Sequence, residues 1–187
     1  MTVRLLAFAA SLRKGSLNRK LLRVAAEAAR SQGAQVDLAE FAEFDMPLFN
    51  GDLHDAQGFP PGAEALKRRL ETVDGLLLAS PEYNYSLPGT LKNAIDWLSR
   101  YRPVPLRGKS ALLLATSNGA IGGVRGLWQL RIPLECLGVF VHPDMFPLPN
   151  GREAFLEDGS LRDPQAAERL DKLVANYLKA ARALATA

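Results

Sequence analysis

Short apolar runs alternate with longer stretches of helical periodicity along the chain. Val3 to Ala9 is apolar except at Arg4 and predicts a buried strand. Leu17, Leu21, Ala25 and Ala28 then recur at helical spacing, with Arg19, Lys20, Arg23 and Glu27 largely off that stripe. Gly33 is placed to end this helix. Val36 to Phe41 alternates and reads as a second strand. Asp45 to Gly62, rich in Pro, Gly and Asp, reads as a long loop, and loops of that length in compact domains are often functional. A helix over Ala63 to Thr72 leads into a third strand, Gly75 to Ser80, bounded by Asp74 and Pro81.

Pro88 sits where a helix can begin, because its missing N–H costs nothing in a first turn. Leu91, Ala94, Ile95 and Leu98 follow on one face, which Trp97 and Tyr101 widen beyond what covering a sheet requires. Ser110 to Thr116 predicts a fourth strand. Gly122-Gly123 opens another helix, which Pro133 is expected to kink or interrupt. Gly138 to His142 predicts a fifth strand, and Asp163-Pro164 starts a last helix carrying Leu170, Leu173, Val174, Tyr177 and Leu178. Near-continuous apolar strands separated by amphipathic helices imply a parallel sheet covered on both faces. Five of them fit an α/β flavodoxin-like doubly wound sheet of order 2-1-3-4-5, with every strand-to-helix loop at its carboxyl edge.

The length of 187 residues suits a single domain, 1–187, with one full core. Apolar residues make up 48% and charged residues 23%, the balance of a globular protein. A net charge of +3 is too small to argue for nucleic acid, yet it favours an anionic small ligand. Cys136 is the sole cysteine and His54 and His142 stand apart, so neither a disulfide framework nor a metal site is expected. The apolar start resembles a signal peptide superficially, but it is short and Arg13-Lys14 follows at once. No run approaches the ~18 apolar residues of a membrane span, so no membrane is expected and the cytoplasm is the default.

In this fold, ligands bind outside the carboxyl ends of the strands near the switch point. Three loops would meet there. Ser11-Leu12-Arg13-Lys14-Gly15-Ser16-Leu17-Asn18 combines hydroxyls, an amide and cations just before a helix, whose N-terminus favours phosphate. Ser11, Ser16 and Asn18 can donate to phosphate oxygens; equally, Ser16 can simply cap the helix. The loop lacks the P-loop lysine motif and the dinucleotide fingerprint, and a monophosphate needs neither. Pro81-Glu82-Tyr83-Asn84-Tyr85-Ser86 offers flat apolar contact and backbone donors, the needs of a planar hydrogen-bonding ring. Its tyrosines could as readily serve packing or an interface. Ser117-Asn118-Gly119-Ala120-Ile121-Gly122-Gly123 lets backbone approach a ligand, though its glycines suit ordinary turns too.

At these residues the chain resembles the NAD(P)H-dependent FMN reductase family, which includes quinone, chromate and azo-dye reductases. The first loop carries the resemblance together with Pro81-Glu82-Tyr83-Asn84-Tyr85-Ser86-Leu87-Pro88-Gly89-Thr90-Leu91-Lys92-Asn93-Ala94-Ile95-Asp96-Trp97. The resemblance implies FMN as cofactor and NAD(P)H as co-substrate. It places Ser11, Arg13, Ser16, Leu17 and Asn18 on the FMN phosphate. It sets Pro81, Glu82, Tyr83, Asn84 and Tyr85 at the edge of the flavin ring, with Ser117 closing the far side. Arg100, Gly122, Gly123 and Arg125 are similar to the family's dimer and nicotinamide-side region. Two departures stand out: Asn118 after Ser117, and Pro133 inside a helix the family leaves intact. Beyond Asn150 no motif matches.

The implied activity is hydride transfer from NAD(P)H through FMN to quinone-like or other small acceptors, azo compounds, chromate and free flavin among them. The flavin would carry the chemistry, with no obligatory acid or base from the protein. Arg13, Lys14, Arg100 or Arg125 could meet the extra phosphate of NADPH. The alternative is a flavodoxin-type electron carrier or flavin sensor without reductase activity, against which the charge balance and the cationic first loop argue. The broad apolar face from Leu91 to Tyr101 predicts a homodimer or homotetramer.

Overall fold

Alternate residues of the central strands point to opposite faces of one sheet, and this divides the core into two layers. In the computed structural model, which describes residues 1–186, the chain runs β1 (Arg4–Ala9), α1 (Leu17–Ser31), β2 (Gln35–Ala39), α2 (Gly51–Gln57) and α3 (Pro61–Glu71). There follow β3 (Gly75–Ala79), α4 (Gly89–Leu98), β4 (Ser110–Thr116), α5 (Val124–Cys136), β5 (Phe140–Val141), β6 (Phe146–Leu148) and α6 (Pro164–Ala185). All strand pairs are parallel, in the order β2-β1-β3-β4-β5, with β6 also paired to β4. Leu5, Ala7, Leu77, Leu112 and Leu114 pack under α1 and α6. Leu6, Phe8, Leu76, Leu78 and Leu113 pack under α3, α4 and α5. The chain order reverses between β1 and β3, which makes their carboxyl ends the switch point.

The predicted doubly wound order is the observed one, with four local differences. The fifth position holds two short strands rather than one, since Pro143 cannot extend the ladder and β6 resumes it higher on β4, at Leu114 to Thr116. The second strand stops at Ala39, because Phe41 and Phe44 turn inward as a 3-10 turn whose rings pack with Phe8. The segment expected as a loop between Asp45 and Gly62 contains α2, capped by the Asn50 side chain on the Asp52 N–H at 2.9 Å. Finally, α5 continues through Pro133 to Cys136. The carbonyl that the proline leaves without a donor belongs to Gln129, an exposed residue that water can reach.

The same segment corrects the reading of α4. Trp97 is fully buried and Tyr101 is 6% exposed, covered not by another subunit but by the chain's own Phe49, His54 and Phe59. Trp97 Nε1 and Asn93 Nδ2 both donate to the Pro47 carbonyl, at 2.8 and 2.9 Å, which fixes that cover in place. The wide apolar face is therefore spent within the fold.

Candidate active site

The carboxyl ends of β1, β3 and β4 are stitched at successive levels. Ala10 N–H donates to the Ala79 carbonyl at 2.8 Å, and Ser80 N–H to that of Leu114 at 2.9 Å. The loops that leave these strands enclose an open cleft of about 370 Å³. One wall is Ser11, Arg13, Gly15, Ser16, Leu17 and Asn18; another is Pro81, Glu82 and Tyr83; the third is Thr116, Ser117 and Asn118, with Arg152 added.

At the first wall Ser16 caps α1, its Oγ accepting from the Arg19 N–H at 3.4 Å. Among the described residues nothing accepts from the backbone N–H groups of Leu17 and Asn18, the first two of the helix. Unclaimed donors at a helix start carry partial positive charge and suit an anion. Ser11, Ser16 and Asn18 line the cleft and are each buried, at 4%, 7% and 5% exposure. The Asn18 side chain also has a structural partner. Its Nδ2 donates to the Thr116 carbonyl at 3.0 Å and its Oδ1 accepts from the Thr116 N–H at 2.9 Å. The side chain thus ties α1 to the end of β4, and Asn18 offers the cleft its backbone N–H and one remaining amide hydrogen.

Arg152 escaped the sequence reading because no motif surrounds it. The signal was the turn pair Asn150-Gly151: Asn150 is left-handed at φ 52°, and a Cβ on Gly151 would stand 2.5 Å from Thr116 Oγ1. Only glycine lets that turn close on β4, and the next residue, Arg152, is delivered to the cleft. The end of the cleft beside the start of α1 therefore has Arg13 and Arg152 as cations.

The second wall is a tight turn. Tyr83 and Ser86 exchange N–H···O=C bonds of 2.9 and 3.0 Å around Asn84 at φ 51° and Tyr85 at φ 67°. A two-residue turn with both central residues left-handed normally takes Asn-Gly. A tyrosine in the second place costs on the order of 1 kcal/mol. Asn84 and Tyr85 do not line the cleft; their N–H groups stay unclaimed among the described residues, and Tyr85 is exposed. The Arg125 guanidinium lies 3.5 Å over the Tyr85 ring and binds the Glu82 carboxylate through Nε at 2.9 Å and Nη2 at 2.8 Å. Burial opposes the Arg125 charge, but Glu82 and Tyr85 outweigh it and hold the guanidinium pKa above its ordinary value.

Of the remaining candidates, Ser117 joins the cleft and the others do not. Gly122 and Gly123, left-handed at φ 63° and 88°, seat the start of α5 against β6 and β4. Arg100 lies past the end of α4, its guanidinium over the Phe49 ring at 5.2 Å. A ten-residue helix, about 15 Å long, separates that end from the loop after β3, so Arg100 is not part of this cleft. His54 packs on Phe59 and Trp97, and His142 on Tyr177, each as an aromatic neighbour.

A cationic end with free N–H donors, joined to a flat end edged by Pro81 and Tyr83, fits a phosphate and a planar ring held together, as in FMN. Residues 3–153 match the NADPH-dependent FMN reductase family. The quinone reductase of Escherichia coli K12 is 38% identical over 168 residues, covering 90% of this chain and 85% of that protein. An NAD(P)H-dependent FMN reductase of Pseudomonas aeruginosa is 38% identical over 173 residues, covering 91% of this chain and 90% of its own. FerB from Paracoccus denitrificans, a flavoenzyme NAD(P)H:(acceptor) oxidoreductase, superposes with a TM-score of 0.84 at 32% identity, over 97% of this chain and 98% of that one. The site, the fold and these likenesses converge, and the chain belongs to the NADPH-dependent FMN reductase family.

Proposed function

We propose that this chain binds FMN along the cleft and passes hydride from NAD(P)H to quinone-like acceptors. The observation that carries the reading is the pairing, in one cleft at the switch point, of an unclaimed helix N-terminus with a flat edge made by Pro81 and Tyr83. Ser11, Arg13, Ser16, Leu17 and Asn18 hold the phosphate, with Arg152 as a further cation over it. Pro81, Glu82 and Tyr83 edge the ring, the Asn84-Tyr85 turn presents backbone beside it, and Ser117 closes the far side. FMN, when bound, supplies the hydride chemistry between the two substrates. The protein's part is to orient and to set charge. No lining side chain stands as an isolated acid or base, since Glu82 is engaged by Arg125 and by the Gly126 N–H at 3.1 Å. With Arg13 and Arg152 given to the FMN phosphate and Arg125 paired with Glu82, Lys14 is the cation of the first loop left to meet the extra phosphate of NADPH, rather than Arg100. The named relatives support quinones as acceptors; an open cleft also admits azo compounds, chromate and free flavin.

The test is the visible spectrum of the purified protein saturated with FMN and titrated anaerobically with NADPH. A bound flavin that bleaches and returns on adding a quinone is the expected result. A bound flavin that stays oxidised would point to an electron carrier or sensor instead.

We also propose a homodimer or homotetramer, on a surface other than α4. Trp128 and Ile132, one turn apart on α5, are 54% and 63% exposed, and Phe140 on the edge strand β5 is 54% exposed. Large apolar groups left exposed on one helix face, as Trp128 and Ile132 are, mark an association surface. Trp128→Glu with Ile132→Glu is expected to convert the oligomer to a monomer in analytical ultracentrifugation while FMN binding persists. A monomeric wild-type protein would reject the proposal. The exposed thiol of Cys136 suits a reducing compartment, and we place the protein in the cytoplasm.

A further inference from the structure

Glu82 is an unusual residue to find lining a cleft that is to hold an anionic ligand. Its side chain is only 9% exposed, and a free carboxylate there would repel a phosphate-bearing cofactor. The structure compensates it from α5. Arg125 grips Oε1 through two nitrogens, and the Gly126 N–H donates to Oε2 at 3.1 Å. The backbone is shaped for this contact. A Cβ on Gly126 would lie 3.1 Å from Glu82 Cα and 3.2 Å from the Ser86 carbonyl oxygen, so a side chain there would push α5 off the turn.

The far side of Arg125 covers Tyr85, the residue held in the disfavoured left-handed conformation. Strain of this kind persists only where surrounding contacts enforce it, and it concentrates at functional positions. Here the enforcing contacts run from Glu82 through Arg125 to Tyr85, and all of them belong to the turn that faces the ring or to the helix start behind it. A purely packing role would be served as well by apolar groups, since desolvating an ion pair offsets much of its attraction.

We propose that Glu82 is a positioning residue of the flavin site: with Arg125 it forms a charge-neutral strut between α5 and the Tyr83–Ser86 turn. The strut holds Asn84 and Tyr85 left-handed and leaves no net charge beside the ring. This deepens the FMN reading above and rests on it.

The test compares Glu82→Gln, Arg125→Met and the double variant by the midpoint potential of bound FMN, by FMN affinity, and by amide exchange of residues 83–86 in FMN-free protein. Glu82→Gln leaves a cation uncompensated and raises the potential; Arg125→Met leaves a carboxylate and lowers it; the double variant returns close to wild type. Each single change weakens FMN about tenfold, and the double change weakens it by much less than the product, as coupled partners do. Exchange at 83–86 quickens in both single variants. Potential shifts of one sign, additive losses, or unchanged exchange would each reduce Glu82 to a packing residue and overturn the proposal. A wild-type protein that failed to bind FMN would instead remove the flavin reading, and the exchange measurement would still decide whether the strut holds the turn.

Discussion

Ser16→Asp is expected to leave the fold intact and abolish tight FMN binding. Aspartate caps a helix as well as serine, so the bond to the Arg19 N–H survives and the stability of the FMN-free protein should change by less than ~0.5 kcal/mol. What changes is the charge. A carboxylate at the start of α1 would stand beside the free N–H groups of Leu17 and Asn18, where the phosphate is placed. Two like charges at about 4 Å repel by roughly 4 kcal/mol at the effective dielectric of a half-open site, so FMN affinity should fall at least ~100-fold. Riboflavin, which lacks the phosphate, should lose little, and the contrast between the two ligands is the measurement that counts. Isothermal titration with both would settle it. Equal losses would move the phosphate elsewhere, and wild-type FMN affinity would leave Ser16 as a cap alone.

That experiment also separates two readings that the sequence could not. A serine before an apolar helical stripe is an equally good cap and phosphate ligand, because both roles need the same oxygen at the same place. The structure shows the cap, with Ser16 Oγ accepting from the Arg19 N–H, and the free backbone N–H groups behind it leave room for the phosphate role proposed above. The strands were legible because β1, β3 and β4 are buried on both faces and therefore apolar at nearly every position. The helices α1 and α6 were legible because each carries one buried stripe and a clear boundary, Gly33 ending one and Asp163 capping the other. Where composition pointed one way and packing another, the reading slipped. The Asp45–Gly62 segment is dense in turn formers, yet α4 and the turn after it supply Trp97 and Tyr101 for Phe49, His54 and Phe59 to cover, and a short helix forms against them.

Side-chain direction was harder to read than position. Asn18 belongs to the cleft, but its amide faces Thr116 across the sheet, a partner 98 residues away that no local pattern announces. The resemblance groups Arg125 with the nicotinamide side; the folded chain adds that its guanidinium is held by Glu82 and lies over Tyr85. Arg152 was silent because its placement depends on the turn before it and on the closeness of β4. In each case the deciding partner is remote in sequence, so only the folded chain exposes it.

Gly122→Ala is expected to be the most damaging small substitution near the cleft. The residue is left-handed at φ 63°, and an added Cβ would stand 2.6 Å from Leu148 N, 2.7 Å from Leu148 C and 2.8 Å from Pro147 C. These are backbone atoms of β6, which no rotamer change can clear, so either the loop or the strand must move. The combined strain and overpacking should cost about 3 kcal/mol, a fall in Tm of roughly 10 °C for a protein this size. The consequence reaches the cleft because the Leu148 carbonyl accepts both the Thr116 hydroxyl at 2.9 Å and the Ser117 N–H at 3.4 Å, so displacing β6 disturbs the third wall. FMN affinity should fall with stability, and saturating FMN should restore part of the lost Tm by binding only the folded form. Gly119→Ala is the control. There the nearest atom to an added Cβ is Ser117 Oγ at 3.7 Å, an ordinary contact, and both stability and FMN affinity should hold. Thermal unfolding of the two variants with and without FMN makes the comparison. An unchanged Tm for Gly122→Ala with a raised KM for NADPH alone would return Gly122 to a nucleotide-binding role and contradict the steric reading.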